Sequence, residues 1–451
     1  MAGSFRQPAY LPGDHEPRHR VRCPIHGFIR FSESERQIID HWLFRRLRWI
    51  RQLALTEYVY PGATHTRFEH SLGVMDVAGR IFDALARTKG ELLEDRFRTV
   101  AQIADAPLEK GRQLVRLAAL LHDVGHCCFS HAAEEVIQQG ADHEQLTWHV
   151  LETDALLGGE LDRLFFPGAG KMTAQIIAGS KKNLPPQLQV LKDIVSGQID
   201  ADRTDYLLRD SHHCGVDYGR FDYRRMIECL TLREDPDGTG GLEIAIQRDG
   251  IHTFEALILA RYQMNTQVYY HRLRRIYDLY LKEYFRAKGS ADFDTPEKVL
   301  THTDVTMMAN IVADADKKGE TYQPWAERIR DRRHHREVYA TGEDVGASEI
   351  KKVTAVFSRV QAEFKDADCQ FDIATVEIHK LLLPDDRDDM GLVPFWLINR
   401  DRTATLFGDR SRILRHVPRW FRVARIYADL PPGEKAKRLE IAAKCASYVK
   451  G

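Results

Sequence analysis

Residues 117–131 read LAALLHDVGHCCFSH, and both the fold and the chemistry of the chain turn on them. Leu117, Leu120, Leu121 and Val124 recur at three- and four-residue steps, the pattern of a helix with one face for a core. His122 and Asp123 arrive at the end of that stripe, where an imidazole nitrogen and a carboxylate oxygen could both meet a metal ion. Taken alone, the pair reads more plainly as a core histidine beside a capping aspartate.

Two other stretches change that balance. Residues 64–74, THTRFEHSLGV, put His70 at the opening of an amphipathic helix. Residues 199–213, IDADRTDYLLRDSHH, put Asp202, Tyr206 and Asp210 four residues apart, so a helix aligns them on one face. Leu207 and Leu208 beside them make that helix at least half buried, and buried carboxylates need partners. The candidate metal ligands are therefore His70, His122, Asp123 and Asp202. Such a set leaves an octahedral ion open positions for water and a phosphate oxygen, unlike a closed structural zinc site. Mixed nitrogen and oxygen ligands suit Fe, Mn, Zn, Co or Ni.

Helical spacing extends outward from these segments, through Ile38, Ile39 and Trp42 and again through Met75, Ala78 and Phe82. The expected class is mainly α, with a helical core over residues 21–285. A small β-hairpin insertion is expected at DPDGTGG (235–241) and the alternating strand after it. Residues 286–451 read as a mixed α+β section packed on that core. Its expected strands lie at 373–378, 393–398 and 423–427, and its closing helix at 432–449. Residues 1–20 read as a flexible lead-in.

Composition narrows the function classes. With 451 residues, 43% of them hydrophobic, the chain can bury a large core. No apolar run approaches the roughly 20 residues of a spanning helix, and no apolar leader opens the chain, so a cytoplasmic location and no membrane partner are expected. A net charge of −1 offers no global attraction to polyanions, so any anion site must be local. Seven cysteines without a CxxC pair read as reduced, buried thiols.

The order H…HD…D resembles the HD-domain deoxynucleoside triphosphate triphosphohydrolases, of the SAM-and-HD-domain and bacterial dGTPase-like kind, without the SAM domain. The likeness is carried by CPIHG (23–27), RRLRWIRQL (45–53), YPGATHTRFEHSLGV (60–74), the HD stretch, DHEQ (142–145), IDADRTDYLLRDSHH and FDYRR (221–225). It implies an HD-domain helical core with His70, His122, Asp123 and Asp202 as ligands. It implies phosphate-holding and proton-transfer roles for His126, His131 and His143, with Glu144 orienting a histidine. Arg67, Arg203 and Arg261 would clamp phosphates, a duty that suits a guanidinium fork. Gln52, Leu53, Tyr206 and Tyr269 would line the sugar, and Asp210 would meet its 3′-hydroxyl; Asn265 stands where the family carries a histidine.

The reaction so implied is attack at the α-phosphorus of a deoxynucleoside triphosphate (dNTP), giving deoxynucleoside and triphosphate, with Mg on the phosphates and a homo-oligomer, dimer or tetramer. Apolar atoms against the 2′ carbon would leave a ribose hydroxyl unpartnered, at about 1–3 kcal/mol. Asp40, Arg48 and Arg225 match activator-binding positions of the family. Arg22, Cys23, Gln247 and Asp249 depart from them, which argues against activation by two nucleotides. Two alternatives remain open: an HD phosphohydrolase acting on a mono- or dinucleotide, and a nucleic-acid-binding protein or nuclease. The second rests on the basic runs 328–336 and 412–425, with Trp420 and Phe421 available to stack on bases.

Overall fold

A computed structural model describes residues 17–130, 142–153, 155–180, 184–235, 238–289, 293, 295–383, 392–430 and 434–450. Helix Pro107–Leu121 opens on proline, whose fixed φ and missing N–H suit a first turn. From Leu114 to Leu121 every residue is buried, so this element is at the centre, covered on all sides. Helix Arg67–Phe97 lies along it and adds Leu72, Met75, Ala78, Phe82 and Leu85 to the same core. Its start is set by Glu69, which accepts the Thr66 N–H at 3.1 Å. Helix Ala201–Cys214 packs on the Arg67–Phe97 helix and stops at Gly215, whose φ of 70° suits glycine. The three motif segments meet through their ends: His122 caps the first helix, and His70 and Asp202 sit in the opening turns of the others.

The fold is mainly α with small β elements, and the sheets tie distant parts of the chain together. Strands β1 (His19–Cys23) and β2 (Gly27–Phe31) form an antiparallel hairpin, its turn ending at Gly27 with φ of 78°. This hairpin lies partly inside the stretch read as a lead-in, of which residues 1–16 fall outside the described residues. Strands β3 (Leu230–Glu234) and β4 (Leu242–Gln247) flank DPDGTGG as expected, residues 236 and 237 lying outside the described residues. Further along come β5 (Arg336–Ala340), β6 (Asp368–Glu377), β7 (Trp396–Ile398), β8 (Ala404–Leu406) and β9 (Trp420–Asp429). The β3–β4 hairpin does not stand alone: β7 pairs parallel with β4, giving the order β3-β4-β7-β8. Both sides of position 285 therefore share one sheet. The third sheet runs β5-β9-β6, and the closing helix is Lys435–Lys450.

A second core explains why the HD segment keeps its shape. Tyr277, Tyr280, Tyr284 and Phe285 of helix Arg272–Lys288 pack with Met307, Ile311 and Ile329, and with Cys127, Cys128 and Phe129 from the HD segment. The loop after Asp123 is thus embedded in the C-terminal section. All seven cysteines are free thiols, and every one but Cys214 is buried.

The basic run 328–336 is partly tied up in ion pairs, with Arg332, Arg333 and Arg336 exposed. Arg328 pairs with Asp429 at 2.8 Å and Asp368 at 3.0 Å, Arg330 with Asp316 and Asp331, and Arg333 with Glu327. Phe421 is a core residue, 2% exposed, and has no face to offer a base. Among the described residues no helix is long and apolar enough to cross a membrane.

Candidate active site

At the junction of the three helices lies a cleft of about 480 Å³. His70 donates from Nδ1 to Asp205 Oδ2 at 2.8 Å, and His122 donates from Nδ1 to the Ala119 carbonyl at 2.8 Å. Carboxylate and carbonyl oxygens only accept, so both rings carry a proton on Nδ1 and turn Nε2 inward. Neither Nε2 has a hydrogen-bond partner of acceptable geometry, although both are buried. Asp202 Oδ1 lies 3.1 Å from His70 Nε2 and 3.6 Å from His122 Nε2. Asp123 places Oδ1 3.3 Å from His122 Nε2 and Oδ2 3.8 Å from His70 Nε2.

These residues fit a divalent ion. The donor atoms of His70, His122 and Asp123 lie within 4.8 Å of one another, and two bonds of about 2.1 Å reach nearly that far. Electrostatics agree with the spacing. Burial opposes charge on His70, yet Asp202 and Asp205 on its two nitrogens push its pKa up to about 10. Burial likewise opposes charge on His122, and Asp123 and Asp202 still raise it. The buried Asp123 carboxylate and the half-buried Asp202 carboxylate together favour a cation beside the two rings.

The segment that follows Asp123 is fixed from several directions. Buried Arg46 donates from Nη2 to the carbonyls of Val124 and His126 at 2.6 and 2.7 Å. Gly125 is glycine for want of room: a Cβ there would strike the backbone of His143 and Thr147. The close approach brings helix His143–Glu152 against the HD segment, and the His126 and His143 rings stack at 4.0 Å. Burial, and then the Arg67 charge, hold the His126 pKa well below its usual value, so the ring is neutral. Arg67 is buried and bound to Asp123 Oδ2 at 2.5 Å and to Ser130 Oγ at 2.8 Å.

Apolar and aromatic side chains also line the cleft, with Gln52 and Asp210 among them. Gln52 and Leu53 are held beside Arg67 because Gln52 N–H donates to the His65 carbonyl at 3.0 Å and Arg67 N–H to that of Ile50 at 3.0 Å. Tyr206 and Tyr269 stand edge to face, their rings 6.0 Å apart. Asp210 accepts from His65 Nε2 and from the Tyr269 hydroxyl, each at 2.7 Å. Asn265 and Tyr269 belong to a π turn that ends helix Ile251–Met264.

The cleft thus brings together Gln52, Leu53, Arg67, His70, His122, Asp123, His126, His143, Glu144, Asp202, Tyr206, Asp210, Asn265 and Tyr269. Arg203 and Arg261 do not line it. Arg203 is paired with Asp200 at 2.6 Å, and Arg261 donates to the Glu377 carbonyl at 2.9 Å. His131 lies outside the described residues. Sequence reasoning missed a further wall made by Tyr270, Arg274, Arg275, Asp278 and Lys282. Arg274, Asp278 and Lys282 follow at four-residue steps, a stripe legible in principle. At the activator-matching positions, Asp40 pairs with Arg36 at 2.7 Å, and Arg48 lies 3.5 Å over the Phe68 ring.

Residues 67–210 match the HD domain, and residues 221–376 match the HD associated region. The chain carries an HD domain followed by an HD associated region. The uncharacterized protein YwfO of Bacillus subtilis is 35% identical over 286 residues, 63% of this chain and 59% of its own length. The deoxynucleoside triphosphate triphosphohydrolase SAMHD1 of Bos taurus is 32% identical over 295 residues, 59% of this chain and 46% of its own. The chain therefore spans about half the length of these curated relatives. The crystal structure of a hypothetical protein from Aquifex aeolicus superposes with a TM-score of 0.73 at 26% identity, covering 94% of this chain and 99% of that one. His70, His122, Asp123 and Asp202 lie within the matched HD domain, whereas Gln52, Leu53 and Tyr269 fall outside its limits.

Proposed function

We propose that this HD protein is a metal-dependent phosphohydrolase that cleaves dNTPs to deoxynucleoside and triphosphate. One juxtaposition carries the reading: two imidazole Nε2 atoms without a well-formed hydrogen bond converge with two carboxylates in a cleft that cationic, imidazole and aromatic side chains also line. A divalent ion held by His70, His122, Asp123 and Asp202 would supply Lewis acidity and acidify a water for attack. Arg67, held rigid by Asp123 and Ser130, presents a preset cation to phosphate oxygens. Neutral His126, stacked on His143, can hydrogen-bond phosphate groups without adding charge. Leu53, Tyr206 and Tyr269 offer a surface that suits a 2′-methylene, and Asp210 an acceptor for a 3′-hydroxyl. The name of the Bos taurus relative supports the same substrate class.

The test is turnover of each dNTP and its ribonucleotide with Mn²⁺, read by chromatography. Preference for the deoxy form by roughly ten-fold or more, lost with all turnover in His122→Ala, is the expected result. Equal rates on ATP and dATP would remove the sugar reading. Cleavage confined to mononucleotides would move the enzyme to a different substrate class.

A further inference from the structure

Asp205 lies between two histidines that belong to different parts of the chain. Its carboxylate is fully buried and accepts from His70 Nδ1 at 2.8 Å on Oδ2 and from His26 Nε2 at 2.6 Å on Oδ1. Arg209 donates to both oxygens, from Nε and Nη2, at 2.8 Å each. His26 sits in the turn between β1 and β2 and is 3% exposed. Its Nε2 must carry a proton to meet a carboxylate, so Nδ1 accepts from the Tyr223 hydroxyl, 3.2 Å away. The two rings also pack edge to face at 5.5 Å. Neither His26 nor Tyr223 falls within residues 67–210. Gly73 makes room for the contact, since a Cβ there would collide with Asp205 Oδ1 and Arg209 Nη2.

We propose, on the reading of His70 as a metal ligand, that Tyr223 and His26, from outside the HD domain, act through Asp205 as positioning residues that set the metal affinity. A carboxylate on the far ring nitrogen fixes the tautomer of a ligating histidine and raises its basicity. Losing such a partner costs roughly 10–100-fold in affinity. Charge balance at Asp205 is already met by Arg209. A second short bond from His26 is then a constraint on orientation: it pins Oδ1, so that Oδ2 faces His70. Without it the carboxylate can swing toward the guanidinium and loosen the His70 ring. Linkage is reciprocal, so an ion at the site also strengthens the hold on the hairpin.

The test is titration of Co²⁺ into the metal-free full-length protein, followed by its visible absorption. His26→Ala is expected to weaken Co²⁺ binding by roughly 10–100-fold and to shift the absorption band. His26→Gln, which can still donate to Asp205, is expected to recover part of the affinity, and Tyr223→Phe to lose a few-fold at most. Asp314→Asn, which weakens the ion pair of buried Asp314 with Lys317 in the C-terminal section, is expected to lower thermal stability and leave Co²⁺ affinity intact. Co²⁺ is also expected to slow amide exchange in β1 and β2 of the unaltered protein but not of His26→Ala. Full Co²⁺ affinity and an unchanged spectrum in His26→Ala and His26→Gln would overturn the proposal and leave His26 a purely structural residue. Should His26→Ala not fold, His26→Gln and Tyr223→Phe decide alone, and unchanged affinity in both overturns it. An unaltered protein that binds no Co²⁺ would overturn both this proposal and the metal reading. Co²⁺ binding without dNTP turnover, with affinity lost in His26→Ala, would uphold the relay and sink only the substrate.

Discussion

Asp304 accepts the backbone N–H of Phe129 at 2.6 Å. Its other oxygen accepts the Arg51 N–H at 2.8 Å. Phe129 and Ser130 have φ of 56° and 52°, in the left-handed region, where a side chain costs on the order of 1 kcal/mol per residue. A carboxylate from the C-terminal section therefore holds the loop after Asp123 in a strained course. Through Arg51 it also fixes the segment leading to Gln52 and Leu53.

Burial pushes the Asp304 carboxyl up from 3.8 to about 6, against the pull of those two N–H groups. The folded protein thus binds this proton more tightly than the unfolded chain does. The contribution to stability is full below about pH 4 and declines as pH rises to about 6, by roughly 3 kcal/mol at about 1.4 per unit. Asp304→Asn removes the titration. In urea denaturation, the stability of the unaltered protein relative to the variant is expected to fall between about pH 4.5 and about pH 7. A difference that does not change with pH would refute this.

Gly125→Ala places a methyl group against the backbone of His143 and Thr147, neither of which can rotate away. Overpacking of this kind costs about 1–3 kcal/mol. Displacement of helix His143–Glu152 is expected to lower kcat by roughly 100-fold. Co²⁺ affinity should be little changed, because none of the four proposed ligands lies on helix His143–Glu152. Unaltered melting temperature and kcat would show that the segment has more freedom than the packing allows.

Glu35 and Arg116 form a buried ion pair, with Arg116 Nε 2.6 Å from Oε1. Arg116 also donates to the Arg30 carbonyl in β2, so the pair attaches the hairpin to the central helix. Glu35→Gln leaves a buried guanidinium uncompensated and is expected to cost about 3–5 kcal/mol in denaturant unfolding. Adding Arg116→Met should recover much of that loss. Equal stability of Glu35→Gln and the unaltered protein would contradict the reading.

The parts of the site that were legible in sequence are those placed by a single helix. His122 and Asp123 at the end of an apolar stripe, and Asp202, Tyr206 and Asp210 along one face, need only helical geometry to face a common space. What stayed hidden depends on long-range packing. Whether Arg203 and Arg261 meet a ligand, or Asp200 and the Glu377 carbonyl, is decided by tertiary placement. Arg274, Asp278 and Lys282 read as a solvated face until the helix is set against the cleft. The N-terminal hairpin consists of two five-residue strands dotted with arginines, too short and polar for clear alternation. The His26–Asp205 contact spans 179 residues and leaves no periodic trace.

Asp210 is expected to sense the 3′-hydroxyl. Both its oxygens already have donors, His65 and Tyr269, so a 3′-deoxy substrate should lose only roughly ten-fold in kcat/KM, near the low end for a charged acceptor. Tyr269→Phe removes one donor and should deepen the discrimination, since Asp210 then depends more on the substrate. Equal kcat/KM for dideoxy and deoxy substrates would place the 3′ carbon elsewhere in the cleft.

The central claim is hydrolysis at the α-phosphorus in the cleft of His70, His122, Asp123 and Asp202. Its most direct test is turnover of a dNTP in ¹⁸O-labelled water with Mn²⁺, with products read by mass spectrometry. The predicted result is triphosphate carrying one ¹⁸O and an unlabelled deoxynucleoside, with no turnover in His122→Ala. Label in the deoxynucleoside, release of pyrophosphate or phosphate, or full activity in His122→Ala would contradict it.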